Sequence, residues 1–241
     1  MPDITISIVS HLQGELVKCL LKDLLKVSRI NLEIIVTINR PEDESYLTVA
    51  SPLNLKVIRN KVVKGFGENH NQAFSISTTN FFAVVNPDIR LKNSDLYSMV
   101  HFLRSNDIAA VAPRVITPQG EIEDSIRKFP TIGRLLKRKF TSERRSDYPI
   151  KEDPHPVDWA AGMFVIFKKD SYIKLQGFDE KYFMYMEDVD ICRRLKKVGG
   201  EIFIYPGTHV IHQAQRASHK NFKHFLWHVK SMLRYFLTQN S

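Results

Sequence analysis

The sequence has few cysteines and no long apolar run. Cys19 and Cys192 are the only cysteines among the 241 residues, and each lies in a helical pattern, so we expect two reduced core thiols in a cytosolic protein. No stretch approaches the roughly 20 apolar residues that a membrane span requires. The opening MPDITISIVS lacks the basic region and apolar stretch of a signal peptide. We therefore expect a cytoplasmic protein, with peripheral contact to the inner membrane face left open.

Acidic residues are outnumbered by basic ones. The chain has 35 Lys and Arg against 26 Asp and Glu, which gives a net charge of +9 and a pI near 9.5. This excess indicates an anionic partner, and nucleic acid, phospholipid and phosphorylated small molecules all qualify. Helix-turn-helix, zinc and RNP patterns are missing, so charge is the only support for a nucleic-acid binder. We expect no nucleic-acid partner.

Hydrophobic periodicity predicts an α/β fold. Strands are predicted at 4–10, 33–38, 55–58, 81–85 and 108–115, and helices at 15–27, 69–77 and 94–105. Their alternation predicts a mostly parallel central sheet flanked by helices, with residues 1–115 forming a Rossmann-like nucleotide-binding half. The dinucleotide fingerprint G-x-G-x-x-G is missing, because Gly65-Phe66-Gly67 has no third glycine, and NAD is therefore excluded.

The remaining chain is predicted to complete a single domain over residues 1–241. Residues 116–220 are predicted to form the second half of this domain. It opens with a polar stretch that is strongly basic at 133–156, including Lys137-Arg138-Lys139 and Arg144-Arg145. We interpret this stretch as a solvated surface, or alternatively as one that meets membrane headgroups or a phosphorylated acceptor. Later elements are a strand over 159–167 interrupted by Gly162, a helix from 187 or 188 to 198, and a strand over 201–205 closed by Pro206-Gly207.

The last segment, 221–241, has the pattern of an amphipathic helix. Apolar side chains fall on one stripe, while Lys223, Lys230 and Arg234 lie off it. We expect the stripe to pack inward on the domain, and the alternative is a helix that lies on a membrane. The members of the stripe are Phe222, Phe225, Leu226, Val229, Met232, Leu233 and Phe236.

One carboxylate follows directly on a predicted buried strand. Phe81-Phe82-Ala83-Val84-Val85 ends in Asn86-Pro87-Asp88, and Pro87 cannot donate to a strand ladder, so the strand should stop there. Asp88 then lies at the carboxyl end of a strand, where open α/β sheets bind their ligands. From the residues alone, Asp88 is either a turn-former or a metal ligand.

Acidic and aromatic residues are densest at 177–194. Asp188 and Asp190 should open a helix, where carboxylates are favoured by the positive end of the dipole. A carboxylate among aromatic side chains can also have a raised pKa and act as a general base. Asp190 and Arg194 are four residues apart and can pair along the helix. We therefore favour Asp188 for chemistry and Asp190 for structure.

Taken together, the order and spacing of several motifs are specific. The sequence resembles the inverting glycosyltransferases of family 2, which have the GT-A fold, and especially the bacterial rhamnosyltransferase-like branch that builds surface polysaccharide such as O-antigen. The resemblance covers nearly the whole chain and ends at His212. The motifs that carry it are Ile6–Ser10, Gly65–Ala73, Asn86–Asp88, Arg127–Thr131, Asp158–Gly162, Gly177–Glu180 and Glu187–Asp190.

The resemblance implies a divalent cation. The family's DXD motif closes the fourth strand and holds the cation against the donor diphosphate, and here this position reads Asn86-Pro87-Asp88. Asp88 would then be a metal ligand, and His212 occupies the late position from which some GT-A enzymes supply another. A lone histidine is more often structural. Carboxylate, phosphate and water suit Mg²⁺, whereas imidazole favours Mn²⁺.

The resemblance also implies roles for other residues. Asp188 would deprotonate an acceptor hydroxyl, which attacks the anomeric carbon with inversion as the nucleoside diphosphate leaves. The acceptor side would include Trp159, Asp179 and Glu187. The residues expected to bind the donor are Ser10, Asn39, Asn71, Asn86, Asp88 and Gly162.

The same resemblance suggests the substrates. The donor would be dTDP-rhamnose, although UDP-hexoses stay open, and the acceptor would be a glycan carried on a polyprenyl diphosphate. A non-catalytic nucleotide-sugar-binding protein is the alternative, because only one Asp of the DXD motif is present.

Overall fold

The structure is a computed structural model that describes residues 3–92, 94–134, 147–149, 151–213 and 222–238. The basic motifs at 137–139 and 144–145 lie outside these residues. The interpretation of the basic stretch therefore stays a prediction.

The first half of the chain forms four parallel strands. They are β1 (Ile4–Ser10), β2 (Leu32–Ile38), β3 (Asn54–Arg59) and β4 (Phe81–Val85), in the spatial order β3-β2-β1-β4. In register, Ser10 lies opposite Ile38, and Ile8 lies opposite Val85. The carboxyl ends of β1, β2 and β4 therefore meet at one edge of the sheet, as the alternating pattern predicts.

The later strands are β5 (Ile89–Arg90), β6 (Ala110–Ile116), β7 (Ile126–Arg127), β8 (His155–Val157), β9 (Trp159–Ala160), β10 (Phe164–Lys168) and β11 (Ile202–His212). They extend the sheet to the order β3-β2-β1-β4-β10-β6-β11-β5, with β8 paired to β11, whereas β7 and β9 pair separately with each other. β10 is antiparallel to both of its neighbours, whereas β11 is parallel to β6. The predicted mixed α/β architecture with a mostly parallel central sheet is confirmed.

Two predicted strand boundaries are wrong. The strand predicted over 159–167 is two strands, β9 and β10, because the chain turns between them at residues 161–163. The strand predicted to end before Pro206-Gly207 instead continues to His212. An irregularity between Tyr205 and His209 lets β11 accommodate the proline, which cannot donate to a regular ladder.

Six helices lie wholly within the described residues, together with a 3₁₀ helix at Ser45–Ala50. Helix α2 begins three residues earlier than predicted, because Gly65 is extended and its carbonyl accepts a hydrogen bond from Asn69 N. The helices are α1 (Gly14–Leu24), α2 (Phe66–Ser75), α3 (Leu96–Ser105), α4 (Lys169–Lys174), α5 (Glu187–Lys197) and α6 (Phe222–Leu237).

Apolar side chains cover both faces of the sheet. On one face, Ile4 and Ile8 pack with Leu20 of α1 and Met99 of α3. On the other face, a second cluster contains Val84 together with residues of α4 and α5. Cys19 and Cys192 are free thiols, as expected, and Cys192 belongs to the second cluster.

Helix α6 packs on the domain as predicted, and Phe236 of its stripe packs against the cluster that contains Tyr182 and Tyr235, but most of the stripe does not face inward. Leu226 is 49% exposed and Leu233 is 60% exposed, and Phe225 and Val229 are exposed as well. The buried side chains of the helix are instead Ser231 and Tyr235. Periodicity finds an apolar stripe but cannot tell which side of a helix faces the domain. Within the part of the chain that the structure describes, none of the helices combines the length and the apolar character needed to cross a membrane.

A buried carboxylate links three strands on the β2 side of the sheet. Glu33 is 1% exposed, and its oxygens accept hydrogen bonds from Thr5 Oγ1 at 2.6 Å, Lys56 Nζ at 2.6 Å, and Thr78 N and Oγ1 at 2.9 Å. Burial alone would raise the pKa of Glu33, but these hydrogen bonds outweigh it and lower the pKa to about 2. The charged form of Glu33 therefore stabilises the folded state.

We expect Glu33→Gln to lower the free energy of unfolding at pH 7 by about 2–3 kcal/mol. Because the folded pKa lies below the ordinary value, this stabilisation is present above about pH 4.5 and is lost as the pH falls toward 2. Urea unfolding at pH 7 and pH 3 should show the difference between wild type and variant falling by about half. The exposed Glu15→Gln should change stability little at either pH, and a pH-independent loss for Glu33→Gln would contradict the prediction.

Candidate active site

The carboxyl ends of β1, β2 and β4 open onto a pocket of about 1000 Å³. This volume lies at the upper end of the range for small-molecule sites. The pocket brings together residues that are up to 218 positions apart in the sequence, between 9 and 227. The residues predicted from sequence that line it are Asn39, Asn86, Asp88, Gly162, Glu187 and Asp188.

Asp88 lies where Pro87 ends β4 and the chain enters β5. Its Oδ2 is 3.2 Å from His212 Nε2, because β5 pairs with the end of β11 and sets His212 opposite Ile89. Its Oδ1 is buried and has no hydrogen-bond partner among the described residues. A buried carboxylate oxygen without a donor is costly, and a bound cation would satisfy it.

His212 lies between two carboxylates. Its Nδ1 is 2.9 Å from Glu123 Oε2, on the side of the ring opposite to Asp88. Burial opposes a charge on the ring, but the hydrogen bonds to Asp88 and Glu123 outweigh it and raise the pKa of His212 to about 9. Glu123 was not predicted as a site residue, since it lies in the polar stretch after β6 where no periodicity fixes the direction of a side chain.

The donor set at this point fits a divalent cation that is shared with a ligand. Among the described ranges, no group of three or more His, Cys, Asp and Glu side chains is arranged to hold a metal. The protein would offer two ligands there, the Asp88 carboxylate and the His212 imidazole, whose Nε2 must release its proton to bind a cation, with Glu123 orienting the ring. A cation held by so few protein ligands needs oxygens from water or a bound phosphate to complete its coordination.

Asp188 is the second residue of α5 and points toward β10. Its Oδ2 accepts a hydrogen bond from Gly162 N at 3.1 Å, and its Oδ1 accepts one from Val189 N at 2.8 Å. Tyr185 and Met186, just before the helix, have φ values of 71° and 67°, and this left-handed turn sets the direction in which α5 begins. A Cβ added at Gly162 would lie 3.3 Å from the Phe66 ring and 3.5 Å from Asp188 Cβ, so glycine allows this close approach.

The two carboxylates at the start of α5 differ in their surroundings. Burial, followed by the charge of Asp188, raises the pKa of Glu187 well above its ordinary value, and Glu187 Oε2 has no hydrogen-bond partner among the described residues. Burial also raises the pKa of Asp188, but the backbone hydrogen bonds from Gly162 and Val189 oppose this. Burial therefore favours the neutral form of Glu187 more strongly than that of Asp188, which makes Asp188 the better candidate for a general base.

Asp190 has the structural role predicted for it. Its carboxylate is buried and pairs with Arg194 Nε at 2.7 Å and with Arg193 at 3.0 Å. Arg194 in turn donates to the carbonyl oxygens of Leu175 and Gly177. The predicted i, i+4 pair is confirmed, and it ties α5 to the segment after α4.

Asn39 and Ser10 hold the backbone around the pocket. Asn39 Oδ1 accepts hydrogen bonds from Asn60 Nδ2 and Lys64 N, both at 2.9 Å, and its Nδ2 donates to Lys64 O. Asn39 thus fixes the loop that leads into α2 while lining the pocket. Ser10 is buried and does not line the pocket, and its hydroxyl accepts a hydrogen bond from Gln13 N at 3.3 Å.

Four further predicted site residues lie outside the pocket lining, namely His212, which contacts the lining residue Asp88, and Asn71, Trp159 and Asp179. The Asn71 amide is hydrogen-bonded to Phe178 N and O, to the Tyr172 hydroxyl and to Glu180. Trp159 Nε1 donates to Lys128 O, and Asp179 pairs with Arg234 at 2.7 Å.

The pocket also contains residues that sequence reasoning missed. Arg40 and Lys64 supply positive charge, Phe66 and Phe183 supply aromatic walls, and Trp227 reaches the pocket from α6. His70 also lines it but is buried beside Ser7, and burial lowers its pKa to about 3, so the ring is neutral. Most of these residues lie in loops or on a distant helix, where only tertiary structure brings them to the site.

Comparisons with known proteins agree with this geometry. The family model described as glycosyl transferase family 2 matches residues 5–174, and a model described as the N-terminal domain of galactosyltransferase matches residues 153–221. The rhamnosyltransferase WbbL of Escherichia coli strain K12 is 32% identical over 186 residues, which are 72% of this chain and 70% of WbbL. The N-acetylglucosaminyl-diphospho-decaprenol L-rhamnosyltransferase of Mycobacterium tuberculosis strain H37Rv is 26% identical over 184 residues, 71% of this chain and 60% of that protein.

The fold agrees with that of a solved transferase. The crystal structure of GalNAc-T7 with UDP, GalNAc and Mn²⁺ matches with a TM-score of 0.70 at 14% identity, over 88% of this chain and 43% of that one. The molecule is thus an α/β protein with the GT-A fold. With the family model spanning most of the sequence and WbbL at 32% identity, the chain belongs to glycosyltransferase family 2, and it is a rhamnosyltransferase-like enzyme.

The hydrogen bonds of Asn71 predict a structural role. Asn71→Ala would leave Phe178 N and the Tyr172 hydroxyl without their acceptor, so we expect the free energy of unfolding to fall by about 2–3 kcal/mol. At a temperature where the variant is folded, its affinity for a nucleotide should be unchanged. Ser75→Ala, at the exposed end of the same helix, is the control and should cost less than about 0.5 kcal/mol. Weaker nucleotide binding with unchanged stability would restore Asn71 to the donor site.

Proposed function

We propose that the protein transfers a sugar, in the first instance rhamnose from dTDP-rhamnose, to a hydroxyl of a lipid-linked glycan that becomes bacterial surface polysaccharide. The transfer inverts the anomeric carbon. The observation that carries the proposal is that Asp88, beside His212, and Asp188 line the same pocket. A site for a diphosphate and a site for a base then lie within one cavity that can hold both substrates.

The donor fits the edge formed by β1, β2 and β4. Asn39 lies at the end of β2, where a nucleoside can be hydrogen-bonded, and Lys64 and Arg40 place positive charge on the same wall. Asp88 and His212 are the residues that would hold a divalent cation, which would neutralise charge on the leaving diphosphate. The positive side chains would bind the diphosphate and hold it in place during transfer.

Asp188 is the proposed general base. Gly162 N donates to its Oδ2 and Val189 N to its Oδ1, so the carboxylate is held in a fixed orientation where it lines the pocket. An acceptor hydroxyl within hydrogen-bond reach of this carboxylate would give up its proton as its oxygen attacks the anomeric carbon. Neutral Glu187 beside it can donate a hydrogen bond to the acceptor or to Asp188.

The acceptor proposal rests on the relatives. The name of the mycobacterial relative states a diphospho-decaprenol acceptor, and WbbL is named a rhamnosyltransferase. Trp159 and Asp179 do not line the pocket. They are proposed to contribute to the acceptor side indirectly, by holding in place the segments that they contact.

A UDP-hexose donor is the second candidate function. GalNAc-T7, which has the same fold, was solved with UDP. A non-catalytic nucleotide-sugar-binding protein is less well supported, because Asp188 is held in a geometry that binding alone does not need.

Thermal unfolding with dTDP, UDP and GDP, each with and without Mg²⁺ or Mn²⁺, tests the donor. We expect selective, metal-dependent stabilisation by dTDP of roughly 2.7 kcal/mol at 100 times the dissociation constant. Asp88→Ala should abolish the metal-dependent part, whereas Glu121→Gln, an exposed carboxylate nearby, should retain it. Selective stabilisation by UDP would redirect the search to hexose donors. Unchanged metal dependence in Asp88→Ala would remove Asp88 as a ligand, and no response to any nucleotide would contradict the proposal.

Asp188→Asn tests the base. The amide has the same shape but cannot take a proton at neutral pH, so we expect transfer to fall about 10²–10⁴-fold while nucleotide affinity stays unchanged. Initial rates with dTDP-rhamnose and a polyprenyl-diphosphate glycan give the first quantity, and calorimetry with the nucleotide gives the second. Asp170→Asn, in the exposed first turn of α4, is the matched control. A greater loss from Glu187→Gln than from Asp188→Asn would move the role to Glu187.

A further inference from the structure

Helix α6 has two faces with different surroundings. Its inner face packs on the segment just before α5, and its outer face is exposed to solvent. The outer face carries Leu226, Val229, Leu233 and Leu237, with exposed fractions of 49%, 38%, 60% and 80%. Lys230 lies beside these leucines along the same shallow groove. A run of large apolar side chains exposed on one helical face marks an interaction surface.

The inner face attaches α6 to the active-site pocket. The Tyr185 hydroxyl is 2.8 Å from His224 Nδ1, and Ser231 Oγ donates to Met184 O at 2.8 Å. The Trp227 and Phe183 rings are 4.8 Å apart, and both residues line the pocket. Whatever binds the outer face of α6 therefore comes close to the pocket mouth.

We propose that the outer face of α6, formed by Leu226, Val229, Lys230, Leu233 and Leu237, docks on the surface of an anionic phospholipid bilayer. This inference rests on the proposed function, because a lipid-linked acceptor is presented at such a surface. Charge complementarity supports it. Residues 222–237 contain no acidic side chain and three basic ones, of which Lys230 lies on the outer face and Arg234 pairs with Asp179, and the whole chain carries a net charge of +9. Amphipathic helices with an apolar face and basic flanks bind in this way.

The size of the face favours lipid over a second copy of the chain. A helix of 16 residues is about 24 Å long, and with a width of about 10 Å its face covers roughly 240 Å². A stable protein–protein interface buries about 800 Å² on each partner. A bilayer needs no such minimum area, because apolar burial and headgroup attraction add along a single helix.

Binding of the 241-residue chain to vesicles tests the proposal. In sedimentation with vesicles of phosphatidylglycerol and phosphatidylcholine, we expect wild type to bind, and to bind more weakly to phosphatidylcholine alone or at high salt. The double variant Leu233→Ser and Leu237→Ser should lose binding by about tenfold or more. Ile173→Ser, which removes an apolar side chain that is 54% exposed on α4, is the matched control and should bind like wild type. Circular dichroism and thermal unfolding confirm that each variant is folded.

Several outcomes would overturn the inference. Binding that is equal in the double variant and the wild type would place the lipid contact elsewhere. No vesicle binding, together with a concentration-dependent dimer that the same double variant dissociates, would assign the face to a second copy. The nucleotide measurements separate this test from the proposed function. Nucleotide stabilisation without lipid binding refutes only the docking surface, whereas lipid binding without any nucleotide response refutes the transferase proposal and leaves the surface in place.

Discussion

The antiparallel pairing of β10 with β4 joins the two parts of the active site. β4 ends at Val85, three residues before Asp88, and its neighbour β10 is preceded by Gly162, whose N–H donates to Asp188. The bond from Asn86 N to Met163 O, at 2.9 Å, continues this pairing past the end of β4. Because the two strands are antiparallel, the end of β4 and the start of β10 lie next to each other. Backbone hydrogen bonds therefore fix the position of Asp88, the candidate cation ligand, relative to Asp188, the candidate base.

The buried carboxylates near the pocket differ in their ion-pair and hydrogen-bond partners. Asp190 pairs with two arginines and forms part of the framework, whereas Asp88 pairs with the His212 imidazole and has one oxygen without a hydrogen-bond partner among the described residues. Burial favours the neutral form of Glu187. Carboxylates that are fully paired stabilise the fold, and those left partly unpaired are available for ligands and proton transfer. The two kinds lie within four residues at the start of α5.

The sequence predicted those candidate site residues that lie where a strand ends or a helix begins. Asp88 follows a proline that stops a strand, and Asp188 opens a helix, so both could be placed without knowing the tertiary structure. Side-chain direction was not predictable in this way. Asn71 is one residue after His70, which lines the pocket, yet its amide points to the segment after α4. Glu123 reaches His212 across 89 positions, a contact that depends on β11 continuing past Pro206.

The attachment of α6 to the segment at 179–185 has a consequence for recombination between transferases. Arg234 pairs with Asp179, and His224 and Ser231 contact Tyr185 and Met184. The terminal helix and this loop therefore form one structural module that shapes the pocket mouth. A chimera that exchanges the helix alone would pair it with a foreign loop and disturb the turn that leads into α5. Exchanging the helix and the loop together would change the surface at the pocket mouth and preserve the positions of Asp88 and Asp188.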